Sequence, residues 1–353
     1  MSLTVKHPGL YSTVQDAGRR GLRYLGIPWS GVGCEPWMRF ANALLGQDLT
    51  NPVIETIEGG LSLSVSDESV NVAIVGDVQA ERVDCDGSRT IALGWQTMTL
   101  SPGDTLTLLN TGAYRCAVVG IQGLAIKKHF GSASTYPSAS LGGLNGHILK
   151  VGDELPLNNC TTAESGSNHR LKPYRFIGEP NQGGNAFVVR AVPGPQDDAF
   201  TDDSLSRFFS ADYELSKDID RMGARLNGTK LMHRSESHRD LVSDAILPGS
   251  VQVPGTGNPI VLLSDAHTIG GYPKIATVVS ADLALFSLVR PGSIVRFEQV
   301  TPDMAREHTL AVEQTLLSHL DTKEAVPDDA FSTERLLSLN LIGGVSNALN
   351  EEP

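Results

Sequence analysis

Short apolar runs, alternating with polar residues or continuous, recur along most of this chain between turn-forming Gly, Pro, Asn and Asp. LSLSV (61–65), VNVAIVG (70–76), TLTLL (105–109), CAVVGI (116–121), AFVVRAV (186–192), SVQVP (250–254) and SIVRF (293–297) all have this form. Runs of such length and spacing predict antiparallel sheets or barrels rather than alternating βαβ units. The Asp-Gly pair of CDGSR (85–89) predicts a tight hairpin, because glycine tolerates positive φ. A helical period replaces the alternation in EPWMRFANALLGQD (35–48). There Trp37, Phe40, Ala41, Leu44 and Leu45 share a face, Pro36 suits the first turn and Gly46 the stop. A second helix is predicted from Pro302 to about Leu320 with Thr301 as its cap. Beyond Asp321 the pattern weakens, and NALNEEP reads as a solvated tail.

LSPGDTLTL (100–108) and VRPGSIVRF (289–297) share a Pro-Gly turn that launches an alternating strand, and LKVGDELPL (149–157) resembles both. A chain of 353 residues exceeds what one core usually supports. Together these features predict two similar β domains joined in the polar stretch 158–172. The expected boundaries are 1–165, 166–300, and a C-terminal helix and tail over 301–353.

Composition narrows the function classes. With 40% hydrophobic and 19% charged residues the chain is ordinary for a globular protein. A net charge of −12 argues against nucleic acid or an anionic membrane as main partner. No window approaches the roughly 18 apolar residues of a membrane helix. The opening MSLTVKHPGL lacks the apolar core of a signal peptide, so the expected location is the cytoplasm. Cys34, Cys85, Cys116 and Cys160 lie far apart and read as reduced thiols, mostly buried. There is no Gly-Lys pair of a phosphate loop, no His-Glu-x-x-His, no Cys-x-x-Cys, no Gly-x-Ser-x-Gly and no Met-Lys biotin attachment site. No metal site is expected, and a covalent carrier would have to come from another chain.

The densest chemistry is SDAHTIGGYPKIA (264–276), set between two apolar runs. Gly270 and Gly271 would let the backbone turn sharply and expose amides. Lys274 could hold an anionic group, Tyr272 could donate to an amide-like oxygen, and Asp265 could orient Lys274 or accept a proton. Spacing alone favours a plainer reading of the same residues, a hairpin with a surface lysine and a buried tyrosine.

GLYSTVQDAGRRGLRYLGIPWSG (9–31) with ANALLGQDLTNPVIE (41–55) resembles the opening of the biotin-dependent carboxyltransferase, or allophanate hydrolase subunit 2, family. VPGPQDDAF (192–200), DRMGARLNG (220–228), the stretch 247–283 and RPGSIVRF (290–297) are similar to that family's second half. The resemblance implies a mainly β fold of two cyclophilin-like barrels with a few short helices. The family includes the carboxyltransferase region of urea carboxylase, the C-type subunit of a prokaryotic ATP-dependent 5-oxoprolinase, and the antagonist of a sporulation-kinase inhibitor. It therefore implies a non-biotinylated subunit of an ATP-dependent amide- or lactam-processing complex, in the first place that of 5-oxoprolinase. The implied partners are a subunit-B-type and a subunit-A-type protein, with ATP bound somewhere in the complex. Carboxyl transfer to urea with biotin in trans, and a non-catalytic regulatory role, are the alternatives.

The resemblance favours Lys274, Tyr272 and Asp265 as catalytic, with Gly270 and Gly271 lining the substrate. Further candidates each have a structural alternative. Asp16 and Arg19 in TVQDAGRRG can brace a turn, and Arg221 and Arg225 in RMGAR can clamp an anion or brace the two barrels. Gln252 in VQVP and Glu55 in VIET are polar groups in apolar strands that need partners. Trp29, Trp37 and Trp95 read as core. Where the family carries acids, this chain has Cys34 in GVGC and Asn145 in GGLNGH, and His147 replaces a cation.

Overall fold

Each of the three similar turns bends alike: Gly103, Gly152 and Gly292 adopt φ of +92°, +86° and +86°. Each precedes a strand, Thr105–Thr111, Glu154–Pro156 and Ile294–Gln299. Left-handed backbone costs glycine nothing, so the sequence punctuates these strand starts with it. The computed structural model describes residues 2–158, 168–180 and 186–326. Cys160, most of the expected join and the tail from 327 onward lie outside the described residues.

The protein is mainly β. In the first half two sheets close over one core. One has the order Glu154–Pro156, Ser2–Pro8, Leu61–Val65, Thr105–Thr111, Val78–Val83, Arg89–Leu93. The other runs Tyr11–Gln15, Val53–Ile57, Cys116–Ile121, Val70–Val75, Gln96–Leu100, and ends on the short strands His169–Arg170 and Glu324–Ala325. Leu3, Val5, Leu63 and Leu106 of the first face Val14, Ile54, Val72 and Val119 of the second in one buried cluster. The predicted hairpin joins Val78–Val83 to Arg89–Leu93, with Gly87 at φ +89°.

In the second half seven strands close into a barrel, ordered Ala186–Pro193, Lys274–Val278, Ser250–Gln252, Ile260–Leu262, Gly223–Gly228, Asp212–Ile219, Ile294–Gln299. Val189, Leu215, Val251, Val261, Ile275 and Phe297 fill it. Full closure leaves no edge strand to template aggregation.

The predicted helices form as Glu35–Leu44 and Pro302–Leu320. Thr301 Oγ1 accepts from the Met304 N–H at 3.2 Å, as expected of its cap. Two further helices, Asp202–Ser210 and Ser280–Leu288, were not expected from the sequence pattern. Ser280–Leu288 is apolar almost all round because it is buried between the halves, and a helix covered on both sides shows no polar stripe. Its Leu285 and Leu288 meet Trp37, Phe40, Tyr174, Val312 and Leu316 in a cluster spanning both halves. Trp37 packs edge-on to Trp95 with centroids 5.7 Å apart, so both tryptophans are core. Arg39 grips Glu313 by two bonds of 2.7 Å, tying helix Glu35–Leu44 to helix Pro302–Leu320.

Candidate functional site

Two short strands, Asp244–Ala245 and Ile269–Gly270, pair as a ribbon outside the barrel and wall one side of a cleft. The cleft holds about 540 Å³ and brings together Arg225, Gln252, Gly270, Gly271 and Tyr272, all of them expected site residues. Arg225 projects from the barrel strand Gly223–Gly228, where Ala224 and Leu226 on either side point into the core. Period-2 alternation thus puts the guanidinium outside. Among the described residues it makes no hydrogen bond or ion pair. Lys217 and Asp220 also line the cleft. Asp220 is occupied by its own turn, accepting from the amides of Met222 at 2.7 Å and Gly223 at 3.0 Å.

The ribbon changes the reading of the Gly-Gly pair. A sharp glycine turn was expected, but neither glycine has positive φ. Gly270 lies extended in the ribbon, and a Cβ there would fall 2.6 Å from the Gln252 amide nitrogen. Close approach to the Gln252 amide and Ile246, not turning, is what glycine eases at this position. Gln252 is buried and its Nε2 reaches the Tyr272 carbonyl at 3.4 Å.

Lys274 and Tyr272 exchange the exposures that a simple hairpin would give them. Lys274 is 4% exposed and Tyr272 40%. The Lys274 ammonium donates to Asp244 Oδ2 at 2.6 Å and to the Ala245 carbonyl at 2.8 Å, binding the ribbon to the barrel from behind the cleft. Gln196 completes the knot, donating to Asp244 at 3.1 Å and accepting from the Lys274 N–H at 3.2 Å. The hydrogen bond from Lys274 holds the Asp244 carboxyl below its usual range. Tyr272 turns outward instead and lines the cleft.

Asp265 does not meet Lys274. It is buried against Arg221, which donates to it through Nε at 2.9 Å and Nη2 at 3.1 Å. Arg221 also donates through Nη1 to Glu55 of the first half, and through Nη2 to the Gly31 carbonyl at 2.5 Å. Burial alone lowers the guanidinium's pKa, but the carboxylates of Asp265 and Glu55 outweigh it and raise it above the ordinary value. Glu55 accepts in turn from the Gly33 amide at 2.5 Å. Arg221, Asp265 and Glu55 therefore form the polar bolt between the halves, outside the lining of the cleft.

Asp16 and Arg19 lie in the first half, also outside that lining. Asp16 accepts from Ser132 and Ser134 hydroxyls, both at 2.6 Å, and from the amides of Ala133 at 2.7 Å and Gly18 at 2.9 Å. Burial works against its charge, yet these bonds together hold its carboxyl below the ordinary value. Arg19 donates to the carbonyls of Ser134 and His129. Cys34 is buried at the start of helix Glu35–Leu44, and burial pushes its thiol up, so it does not replace an acid functionally. His147 turns to the Ile148 carbonyl at 2.8 Å.

Sequence reasoning missed Arg23. It crosses from the first half to donate to the carbonyls of Ile246 at 2.7 Å, His267 and Ala266, all on the rim of the cleft. Trp29 lies under it, with Arg20 over the same ring at 4.3 Å. The cluster of arginines was visible in GRRGLR, but spacing does not tell which one reaches another domain. A larger cavity of about 1000 Å³ lies on the first half near Trp95 and Tyr114 and contains none of the expected site residues. No helix among the described residues is long and apolar enough to cross a membrane. No group of three or more candidate metal ligands occurs among them.

Comparison with known proteins adds an independent view. Residues 25–299 match the family described as carboxyltransferase domain, subdomain A and B. The C-type subunit of 5-oxoprolinase from Escherichia coli K12 is 34% identical over 304 residues, covering 86% of this chain and 93% of that protein. Urea amidolyase of Lachancea kluyveri is 27% identical over 323 residues, but the match takes in only 17% of its length. The crystal structure of K. lactis urea amidolyase superposes with a TM-score of 0.77 over 90% of this chain and 20% of that one, at 23% identity, which speaks to the fold alone.

Proposed function

The chain belongs to the carboxyltransferase family of subdomains A and B, and on that premise we propose that it is the C-type subunit of an ATP-dependent 5-oxoprolinase complex. The observation that carries this reading is the match to a C-type 5-oxoprolinase subunit over 93% of that protein's length. The cleft of the second barrel suits such a substrate. A small lactam acid offers one carboxylate, one amide carbonyl and one amide N–H. Arg225 is a cation without a partner among the described residues, and it binds the carboxylate by parallel N–H bonds. The Tyr272 hydroxyl donates to the lactam oxygen, where negative charge develops as the ring opens. Gln252 offers a second amide contact from the floor.

Lys274 acts as a positioning residue, holding through Asp244 the ribbon that carries Gly270. Nucleotide bound by the complex supplies the driving force for ring opening, and B-type and A-type partner chains complete the machinery.

The test is a reconstituted complex of this chain with B-type and A-type subunits from the same source. ATP-dependent formation of glutamate from 5-oxoproline is expected, with no turnover by the chain alone. Arg225→Met should raise KM for 5-oxoproline at least about tenfold, equivalent to roughly 1.4 kcal/mol of lost binding, at an unchanged melting temperature. Co-expressed subunits that elute apart, or a complex inert toward 5-oxoproline, would overturn the reading. The similarity to urea amidolyase supports a second one, carboxyl transfer to urea with biotin delivered in trans. Urea-dependent turnover with a biotinylated carrier would favour it.

A further inference from the structure

In the first half another cavity, about 500 Å³, opens between segment 125–129 and the turn 140–146. The chain carries a net charge of −12, yet no carboxylate is among the residues that line this space. Lys127 and His129 line it instead. Lys127 is exposed and makes no ion pair among the described residues. The nearest acids in sequence are engaged elsewhere: Asp153 accepts from the Lys150 amide at 2.8 Å, and Glu154 from Thr4 at 2.9 Å and from Ser2.

A further cation sits behind the wall. Arg19 is 1% exposed, and its guanidinium is packed against Gly142, where a Cβ would fall 2.2 Å from Nη2. It bonds the His129 carbonyl at 3.2 Å, so it lies behind two lining residues. It makes no ion pair within salt-bridge distance among the described residues, and its buried Nη1 has no hydrogen-bond partner. The unmet Nη1 donor is costly where it is buried, and the carboxylates that act on the guanidinium, Asp16 and Asp265, do so from beyond ion-pair distance. Asp16 spends its hydrogen bonds on Ser132, Ser134 and two amides, so its charge reaches Arg19 without a direct contact.

The turn supplies uncharged donors. Gly143, Asn145 and Gly146 have φ of +52°, +56° and +73°, while Leu144 between them stays in the ordinary negative range. Gly142 is left-handed as well, at φ +69°, so the pattern reverses only around Leu144. A right-handed residue followed by a left-handed one, as at Leu144 and Asn145, is the backbone form that gathers N–H groups into an anion-binding concavity. The Gly146 amide closes the turn onto the Gly142 carbonyl at 2.7 Å. The amides of Leu144 and Asn145 donate to no described residue.

We propose that this cavity is a binding site for the phosphate group of a small molecule, held by Lys127, His129 and the Leu144 and Asn145 amides in the field of Arg19. The assignment is independent of the second-barrel cleft. Titration calorimetry of the full chain with inorganic phosphate and pyrophosphate tests it. Saturable binding is expected, tighter for pyrophosphate. Lys127→Met removes a cation, and Asn145→Asp puts a carboxylate on an exposed residue whose backbone conformation aspartate also tolerates. Each should weaken binding at least tenfold with an unchanged melting curve, whereas Arg225→Met should leave it intact. If Asn145→Asp fails to fold, Lys127→Met decides. The proposal is overturned by absence of saturable binding up to about 10 mM, by binding that survives both substitutions, or by binding lost in Arg225→Met. Acetate bound as tightly as phosphate overturns the choice of ligand.

Discussion

Arg221 shows what one side chain does when two distant carboxylates converge on it. Glu55 is 166 positions away and Asp265 is 44 away, and all three are buried. Arg221→Met would leave two buried acids without their cation, a change that typically costs about 3–5 kcal/mol. Urea unfolding should register that loss; a cost under about 1 kcal/mol would mean the bolt contributes little. Lys274 differs because its partner Asp244 is about half exposed, at 48% of its side chain. Solvent screens that pair, so Lys274→Met should change stability by no more than about 1 kcal/mol. Its effect should appear in the cleft as a higher KM for 5-oxoproline, partly restored by Lys274→Arg. A wild-type KM in Lys274→Met would separate the ribbon from substrate binding.

Helix Pro302–Leu320 depends on its ends and one face. Thr301 caps it, while Val312 and Leu316 enter the cluster between the halves and Glu313 holds Arg39. Thr301→Ala should cost about 1 kcal/mol by leaving the Met304 amide to water. Because the cap is remote from the cleft, kcat and KM of the reconstituted complex should stay as they are. A change in either would mean the helix communicates with the site. The ribbon Asp244–Ala245 with Ile269–Gly270 is the contrasting element: two residues a side, anchored by Lys274 rather than by length.

For the molecule as a whole, acid should be the sensitive direction. Asp16 is held below its ordinary value of 3.8 by its hydroxyl and amide donors, against the opposing effect of burial. Asp244 and Glu313 are held low in the same sense by Lys274 and Arg39. A carboxyl with a lowered folded pKa binds fewer protons folded than unfolded. Its stabilisation is complete above the unfolded value and is lost as pH falls through the folded one. The midpoint of urea unfolding should therefore drop below about pH 4. Asp16→Asn should be less stable at neutral pH by about 1–3 kcal/mol, having fewer acceptors for four donors, and should show a shallower acid limb. An acid limb as steep as the wild type's would assign the sensitivity to other carboxyls.

The strands, the hairpin at Gly87, the helix after Thr301 and the mainly β class were legible because each rests on local period or turn chemistry. Family membership was legible in the same way, from contiguous motifs. Helix Ser280–Leu288 was not, since burial on both faces erases the polar stripe that marks a helix. Nor were the partners of the charged side chains. Sequence placed Asp265 and Lys274 in one site and left Arg221 to clamp an anion or brace the barrels. Only chain closure could pair Arg221 with Asp265 and, across the halves, with Glu55, and Lys274 with Asp244 behind the ribbon. Residue identity fixes what charge a side chain carries and how it can bond. Which group it meets depends on contacts between segments far apart in the chain, and those exist only once the two halves have packed.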